Sequence, residues 1–251
     1  MSATFDPTKF TAPTAKPLPV ILLLDCSGSM SGEKIRILND AVRDMLGVFQ
    51  VTENGETEIH VAIITFGAEI GLYQALASAG AISWRDLTAG GGTPLGTALQ
   101  MAKAMIEDQA VVPSRAYRPT VVLVSDGRPT DSWEEPLHAF ISGGRSAKCD
   151  RMAMAIGADA DEVALGKFVS GTTNPLFYAE NAKQLRDFFK FVTMSVTIRT
   201  KSQTPNVAPD AATIDVKPTT IEARSENPKS GTERSTGGAA EDEQPNEEGY
   251  W

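Results

Sequence analysis

Three side-chain oxygens follow one apolar stretch of the chain at alternate positions. Asp25, Ser27 and Ser29 come directly after residues 18–24, which contain no polar side chain. Residues i and i+2 of an extended segment project to the same side, so two or three of these oxygens can converge on one point. Carboxylate and hydroxyl oxygens suit Mg²⁺, Mn²⁺ or Ca²⁺ rather than zinc or copper. The stretch therefore indicates a site for a hard divalent cation.

Two further segments of the chain carry the same kinds of side chain. Asp126 follows the apolar run 121–124, and Thr93 follows three glycines whose backbone can approach a site closely. Ligands of an open α/β sheet bind beyond the carboxyl ends of the strands, where the strand order reverses. If the strands ending near Asp25 and Asp126 are neighbours, one crevice receives five candidate ligands: Asp25, Ser27, Ser29, Thr93 and Asp126.

Strand and helix patterns alternate along the chain, which predicts an α/β fold with an open, mostly parallel sheet and helices on both faces. The runs 18–24 and 120–126 are apolar on both faces, as central parallel strands are. The other predicted strands are 58–66, 68–76, 149–157 and 175–179, and the predicted helices are 32–49, 94–108, 132–146, 161–170 and 181–196. Strands 58–66 and 68–76 leave almost no room for a crossover, which predicts that they pair antiparallel.

The two ends of the chain differ in composition from its centre. Residues 1–17 hold three prolines and little apolar periodicity, which predicts a flexible lead-in. Residues 18–199 form the predicted domain. From residue 200 the chain is rich in Pro, Ser, Thr, Gly and Asn and carries ten acidic against five basic residues, which predicts a disordered acidic tail over 200–251. A Glu of this tail could also occupy the cation site.

Composition excludes several classes of protein. The 251 residues carry a formal net charge of -9, whereas nucleic-acid binding needs clustered Lys and Arg. The apolar run near the start is too short to cross a membrane, and no basic head precedes an apolar segment as in a signal peptide. Two cysteines do not make a disulfide framework. We therefore expect a cytoplasmic protein that binds neither nucleic acid nor membrane.

Three short motifs carry a resemblance to a known family. The stretches "DCSGSM", "GGTPLG" and "SDGRPTD" resemble, in this order, the metal-ion-dependent adhesion site (MIDAS) of von Willebrand factor A (VWA) domains. The resemblance covers residues 18–196. It implies a Rossmann-like six-stranded sheet, mostly parallel, with one antiparallel edge strand.

The resemblance also implies a role for each candidate ligand. Ser27 and Ser29 would bind the cation directly, and Thr93 would do so in the ligand-bound state. Asp25 and Asp126 would act mostly through cation-bound water. The cation, Mg²⁺ ahead of Mn²⁺ or Ca²⁺, would then keep enough positive charge to accept a carboxylate from a partner protein.

A finer resemblance concerns the two ends of the predicted domain. Residues 18–35, "LPVILLLDCSGSMSGEKI", and 185–196, "LRDFFKFVTMSV", are similar to the TerY-like VWA proteins of tellurite-resistance gene clusters. That subfamily implies a cytoplasmic adaptor, not an enzyme, which works with a protein kinase and a PP2C-type phosphatase.

Other interpretations of the same residues stay open at this stage. The oxygen side chains after the first strand could cap the helix that begins near Ser31, and Thr93 could be a plain helix cap. Asp131 is expected to cap the helix predicted over 132–146 rather than to bind the cation. With Gly92 and Arg128 it belongs to a predicted partner-binding rim, although Arg128 could simply be solvated.

The alternative function is a metal-dependent hydrolase or phosphatase that uses the same Asp, Ser and Thr side chains. The pattern Asp-x-Ser-x-Ser lacks the second aspartate of phosphotransferases with Asp-x-Asp, and there is no Gly-x-Ser-x-Gly nucleophile motif. Neither histidine of the chain is placed to act as a base for Ser27 or Ser29. The sequence therefore favours binding over catalysis.

Overall fold

The structure is a computed structural model that describes residues 15–52 and 57–221. The described residues form one sheet of six strands in the order β3-β2-β1-β4-β5-β6. Only β2 and β3 pair antiparallel, and every other neighbouring pair is parallel. The strands are β1 Lys16–Cys26, β2 Thr57–Gly67, β3 Ile70–Ser78, β4 Thr120–Ser125, β5 Asp150–Ile156 and β6 Leu176–Ala179. The predicted sheet with one antiparallel edge strand is confirmed.

Five helices cover the two faces of the sheet within the described part of the chain. They are α1 Glu33–Thr52, α2 Leu95–Glu107, α3 Glu134–Ser142, α4 Glu162–Val169 and α5 Ala182–Lys201. Helices α1 and α5 bury their apolar residues against one face, and α2, α3 and α4 bury theirs against the other. No helix among these residues is both long and apolar enough to span a bilayer.

Strand β1 lies at the centre of both cores. Leu22 and Leu24 belong to the core under α1 and α5, whereas Ile21 and Leu23 belong to the core under α2 to α4. All four side chains are completely buried. Burying one such side chain is worth about 1.5–3 kcal/mol, so this strand is held firmly from both sides. The expectation of a strand apolar on both faces is confirmed.

Residues 202–221 depart from the expectation of a disordered tail that begins at residue 200. Helix α5 continues to Lys201, and the chain then returns to the sheet edge, where Thr220 bridges Phe177 of β6. The Tyr178 N–H donates to the Thr219 carbonyl at 2.8 Å. Ile214 is 1% exposed. The polar composition of this segment did not predict its docking, because part of the docking rests on hydrogen bonds to distant residues, such as Arg118 with Asn206 and Arg199 with Pro205.

The remaining predictions about the two ends fall largely outside the described residues. The tail beyond residue 221 and the lead-in before residue 15 lie there. At the boundary itself, β1 already begins at Lys16, inside the predicted lead-in of residues 1–17. Helix α3 ends at Ser142, before Gly143 and Gly144, so it is shorter than the predicted helix 132–146.

Candidate metal centre

The carboxyl ends of β1 and β4 meet at one edge of the sheet. The two strands are parallel neighbours, with Leu24 opposite Val124. Asp25 and Asp126 therefore both lie at this edge, and both are completely buried. The sequence predicts this arrangement if the two strands are neighbours, and they are.

A chain of oxygen contacts joins the predicted ligands of these two strands. The hydroxyl oxygens of Ser27 and Ser29 lie 2.9 Å apart. The Ser29 hydroxyl donates to Oδ1 of Asp126 at 2.6 Å. Ser27 is the N-cap residue of the short 3₁₀ turn Gly28–Met30, but its side chain makes no capping bond to that turn.

Asp25 is held from two directions. Its Oδ1 accepts the Ser27 backbone N–H at 2.7 Å, and its Oδ2 accepts the Ser125 hydroxyl at 2.6 Å. Burial nevertheless raises the pKa of Asp25 above its ordinary value, these hydrogen bonds oppose the rise, and the charge of Asp126 adds a little to it. Two buried carboxylates side by side favour a nearby cation.

A glycine loop brings Thr93 to the same edge. The Gly90 N–H donates to the Cys26 carbonyl at 2.8 Å, and the Gly28 N–H donates to the Gly91 carbonyl at 2.9 Å. Gly91 has φ +73°, and a Cβ there would collide with the backbone of Ala68. Only glycine fits this close approach.

The hydroxyl of Thr93 faces the backbone that follows Asp126. A Cβ built on Gly127 would lie 3.1 Å from Oγ1 of Thr93 and 3.5 Å from Oγ of Ser29. Both hydroxyls therefore lie beside the same glycine. Thr93 is 4% exposed. Its N–H donates to the Thr130 hydroxyl, and its carbonyl accepts the Thr130 N–H, at 2.9 Å each. The structure thus brings together all five predicted ligand side chains.

Asp131 caps a different helix from the one expected. Its Oδ1 accepts the Gly96 N–H and its Oδ2 accepts the N–H and the hydroxyl of Thr97, each at 2.9 Å. These donors belong to the first turn of α2, whereas Trp133 is the N-cap residue of α3. The expectation that Asp131 caps the following helix is therefore wrong, because the nearest unpaired N–H groups belong to a helix distant in sequence.

The other two predicted rim residues lie at the surface. Arg128 is exposed, and so is Gly92. A Cβ on Gly92 would lie 2.8 Å from the Thr130 hydroxyl, so the loop and the segment after β4 are packed closely there. Both residues border the five candidate ligands.

Two further residues contact the site without having been predicted. Ser125 donates to Asp25, and the Lys34 ammonium in the first turn of α1 donates to Oδ2 of Asp126. Ser125 stands in a buried strand, and Lys34 stands in a helical pattern that predicts an exposed face. Neither position carries a sequence signal, since only the packing of α1 against β4 brings Lys34 to the carboxylate.

The donor set fits a hard divalent cation. Magnesium and similar ions prefer oxygen ligands. The two aspartates and the three hydroxyls at this site supply oxygen ligands. No group of three or more His, Cys, Asp or Glu side chains that could hold a metal occurs among residues 15–52 and 57–221. A cation here would therefore need ligands besides the two aspartates, and the hydroxyls of Ser27, Ser29 and Thr93 are the side chains that could supply them.

Solved structures share this fold. The VWA2 paralog of ArnB from Sulfolobus acidocaldarius aligns with a TM-score of 0.53 and 18% identity over 72% of this chain and 46% of its own. The pilus adhesin SpaC from Lactobacillus rhamnosus GG aligns with a TM-score of 0.58 and 17% identity over 74% of this chain and 31% of its own. Proximal thread matrix protein 1 from the mussel byssus, with a zinc-occupied MIDAS motif, aligns with a TM-score of 0.53 and 15% identity over 71% of this chain and 48% of its own. The chain thus spans less than half the length of each of these proteins.

Sequence comparison identifies the family. Among curated proteins, none shows significant sequence similarity to the chain. The model of the von Willebrand factor type A domain matches residues 20–191, a range that includes all five candidate ligands. The chain therefore belongs to the von Willebrand factor type A domain family.

Proposed function

We propose that the chain is a metal-dependent protein-binding adaptor whose cation accepts a carboxylate of a partner protein. The observation that carries this proposal is the convergence of Ser27, Ser29 and Thr93 with two buried aspartates at one sheet edge. VWA domains commonly mediate metal-dependent protein interactions, and one structural neighbour has zinc in its MIDAS motif.

The ligand roles in this proposal are those that the resemblance to VWA domains implies. Ser27 and Ser29 would be direct neutral ligands, and Thr93 would add a third neutral oxygen. Asp25 and Asp126 would act through cation-bound water and so would neutralise the ion less than directly bound carboxylates. A bound Mg²⁺ would supply a positive charge that accepts one further oxygen. The all-oxygen donor set supports Mg²⁺, with Mn²⁺ or Ca²⁺ as the alternatives.

We further propose that the chain is a TerY-like member of the family. The two stretches 18–35 and 185–196 support this, and they lie in β1, α1 and α5. In this proposal the protein is cytoplasmic and joins a protein kinase and a PP2C-type phosphatase. Gly92 and Arg128, exposed beside the site, would contact the partner.

A metal-dependent hydrolase is the weaker alternative. A serine nucleophile needs a base within hydrogen-bond reach. His60 contacts Glu58 at 3.0 Å near the amino end of β2, and His138 lies on α3. Asp25 accepts two hydrogen bonds from Ser27 and Ser125 and is already occupied by them. The Ser29 hydroxyl does donate to the Asp126 carboxylate at 2.6 Å, and the Lys34 ammonium donates to the same carboxylate. This contact of Ser29 favours the alternative, whereas the position of both histidines away from the site counts against it.

The test of this function combines cation binding with partner capture. The tagged full chain is incubated with cell extract in Mg²⁺ or in EDTA, and captured proteins are identified by mass spectrometry. Ser27→Ala removes a ligand, and Ser31→Ala, at an exposed serine four residues later, is the matched control. We expect partners that bind wild type and Ser31→Ala in Mg²⁺ and that are lost with Ser27→Ala or EDTA. Partners retained in EDTA would refute the metal-dependent part.

A further inference from the structure

Lys34 contacts the side of Asp126 that faces away from the serines. Its ammonium donates to Oδ2 of Asp126, while Oδ1 of the same carboxylate accepts the Ser29 hydroxyl at 2.6 Å. The Asp126 side chain is completely buried, and the Lys34 side chain is 38% exposed. The buried Asp126 carboxylate thus contacts the Lys34 ammonium through one oxygen and the predicted ligand Ser29 through the other.

The position of Lys34 is set by the packing of α1 across the end of the sheet. The side chain reaches from the first turn of α1 towards Gly157 after β5, where an added Cβ would lie 3.9 Å from Nζ. Among the described residues, Asp126 is the only acidic side chain within ion-pair distance of Lys34. Its neighbour Arg36 has a different environment, because it pairs at the surface with Glu33 and Asp40.

Lys34 changes the charge of the site. Asp25 and Asp126 together carry two negative charges, which a divalent cation alone would neutralise. Lys34 adds one positive charge, so that the site with its cation keeps a net charge of one. A single carboxylate from outside then restores neutrality. Charges in such a buried setting interact more strongly than in water, because the surroundings screen them less.

We propose that Lys34 is a specificity-determining residue that tunes the site to hold a cation together with a partner's carboxylate rather than a cation alone. Its ammonium weakens the hold of the site on the cation alone and strengthens the hold of the loaded site on a carboxylate. This inference rests on the proposed function and adds to it a charge coupling of Lys34 to each ligand, repulsive for the cation and attractive for the carboxylate.

Two titrations on the full chain test this coupling. Isothermal calorimetry measures the affinity for Mn²⁺ alone, and water-proton relaxation follows the addition of acetate to the Mn²⁺-loaded protein. Lys34→Met and Lys34→Gln remove the charge, and Gln keeps a donor for Asp126. Lys34→Arg keeps the charge. Arg36→Met removes a charge from the same helix turn and is the matched control.

The two affinities should move in opposite directions. We expect Lys34→Met and Lys34→Gln to bind Mn²⁺ about tenfold more tightly and acetate about tenfold more weakly than wild type, about 1.4 kcal/mol each way. Lys34→Arg and Arg36→Met should both behave like wild type. If Lys34 only supported the structure, its replacement would lower the affinity for Mn²⁺ and the affinity for acetate together.

The outcomes separate this inference from the proposed function. If wild type binds Mn²⁺ but the charge-removing variants bind it equally or more weakly, the coupling is refuted and the adaptor function stands. If wild type binds no Mn²⁺, both are refuted. Circular dichroism checks whether each variant is folded, and Lys34→Gln replaces Lys34→Met if the latter does not fold.

Discussion

At the scale of one residue, the buried carboxylate of Asp25 shows that a side chain of the site can lower the stability of the fold. The side chain is completely buried, and it keeps a carboxylate beside that of Asp126. Burial raises its pKa, which means that the folded protein disfavours the charged form. The hydrogen bonds from Ser27 and Ser125 reduce this cost without removing it. Such a charge is stabilising only when a cation is bound.

Asp25→Asn should therefore stabilise the protein in EDTA and abolish its response to Mg²⁺. The folded-state pKa of Asp25 lies above the unfolded value, so the folded state binds more protons in that window, and wild-type stability falls as the pH rises through it. The variant has no such loss. Its asparagine oxygen can accept the Ser27 N–H, and its amide nitrogen can donate to the Ser125 hydroxyl oxygen, which reverses that hydrogen bond. We expect its Tm in EDTA to exceed that of wild type at pH 7 by roughly 2–4 °C.

Thermal unfolding at pH 4 and pH 7, with EDTA or Mg²⁺, measures this difference. The advantage of the variant should be larger at pH 7 than at pH 4. Mg²⁺ should raise the Tm of wild type only, because a ligand stabilises the state that binds it. A variant less stable than wild type at pH 7 in EDTA would contradict this account.

At the scale of elements, the start of α2 controls the position of Thr93. The loop 90–92 is tied to β1 through the Cys26 carbonyl, and α2 is tied to the segment after β4 through Asp131. Thr93 lies between these two anchors. Movement of either element would displace its hydroxyl from Ser29 and Gly127. The cap of α2 is therefore also a support for the site.

Asp131→Ala should lower both stability and cation affinity. Removal of a helix cap costs about 0.5–2 kcal/mol, and the freed loop should weaken Mn²⁺ binding several-fold. Asp161→Ala is the control, since Asp161 caps α4 through the N–H groups of Val163 and Ala164. It should lose a similar amount of stability and bind Mn²⁺ like wild type. Calorimetry and urea unfolding measure the two effects, and equal Mn²⁺ affinities in both variants would exclude a supporting role for Asp131.

At the scale of the whole molecule, the segment after α5 completes the domain. An edge strand exposes unpaired backbone groups, and residues 219–220 pair with β6. Arg199, 1% exposed, donates to the Pro205 carbonyl, the Thr120 hydroxyl and the Arg118 carbonyl. The proposed domain boundary at 199 thus separates residues that contact one another, and a boundary after Ile221 respects these contacts.

Two truncations should separate folding from tail function. Removal of residues 202–251 exposes Phe177 and leaves Arg199 without its Pro205 acceptor, so the Tm should fall by several degrees. Removal of residues 222–251 takes away eight acidic and three basic residues and should leave the Tm unchanged. If a Glu of the tail occupies the cation site, this shorter deletion should also raise affinity for acetate in Mn²⁺. Unchanged acetate affinity would rule out that role.

Local patterns in the sequence determined the sheet and most of the site. Apolar runs on both faces identified β1 and β4 as central strands, and the short link after Gly67 identified the antiparallel pair. The motif after β1, the glycine loop before α2 and the motif after β4 predicted five ligands: Asp25, Ser27, Ser29, Thr93 and Asp126. These features follow from local physical chemistry, since burial and turn length leave their trace in consecutive residues.

Tertiary structure alone decided the roles of Lys34, Ser125 and Asp131 and the docking of residues 202–221. Each depends on contacts between segments far apart in the chain: Lys34 with Asp126, Ser125 with Asp25, and Asp131 with the first turn of α2. A helix cap or an ion pair needs only a donor and an acceptor within reach. Since the partner can come from any segment that packing brings near, the sequence around a residue does not identify it.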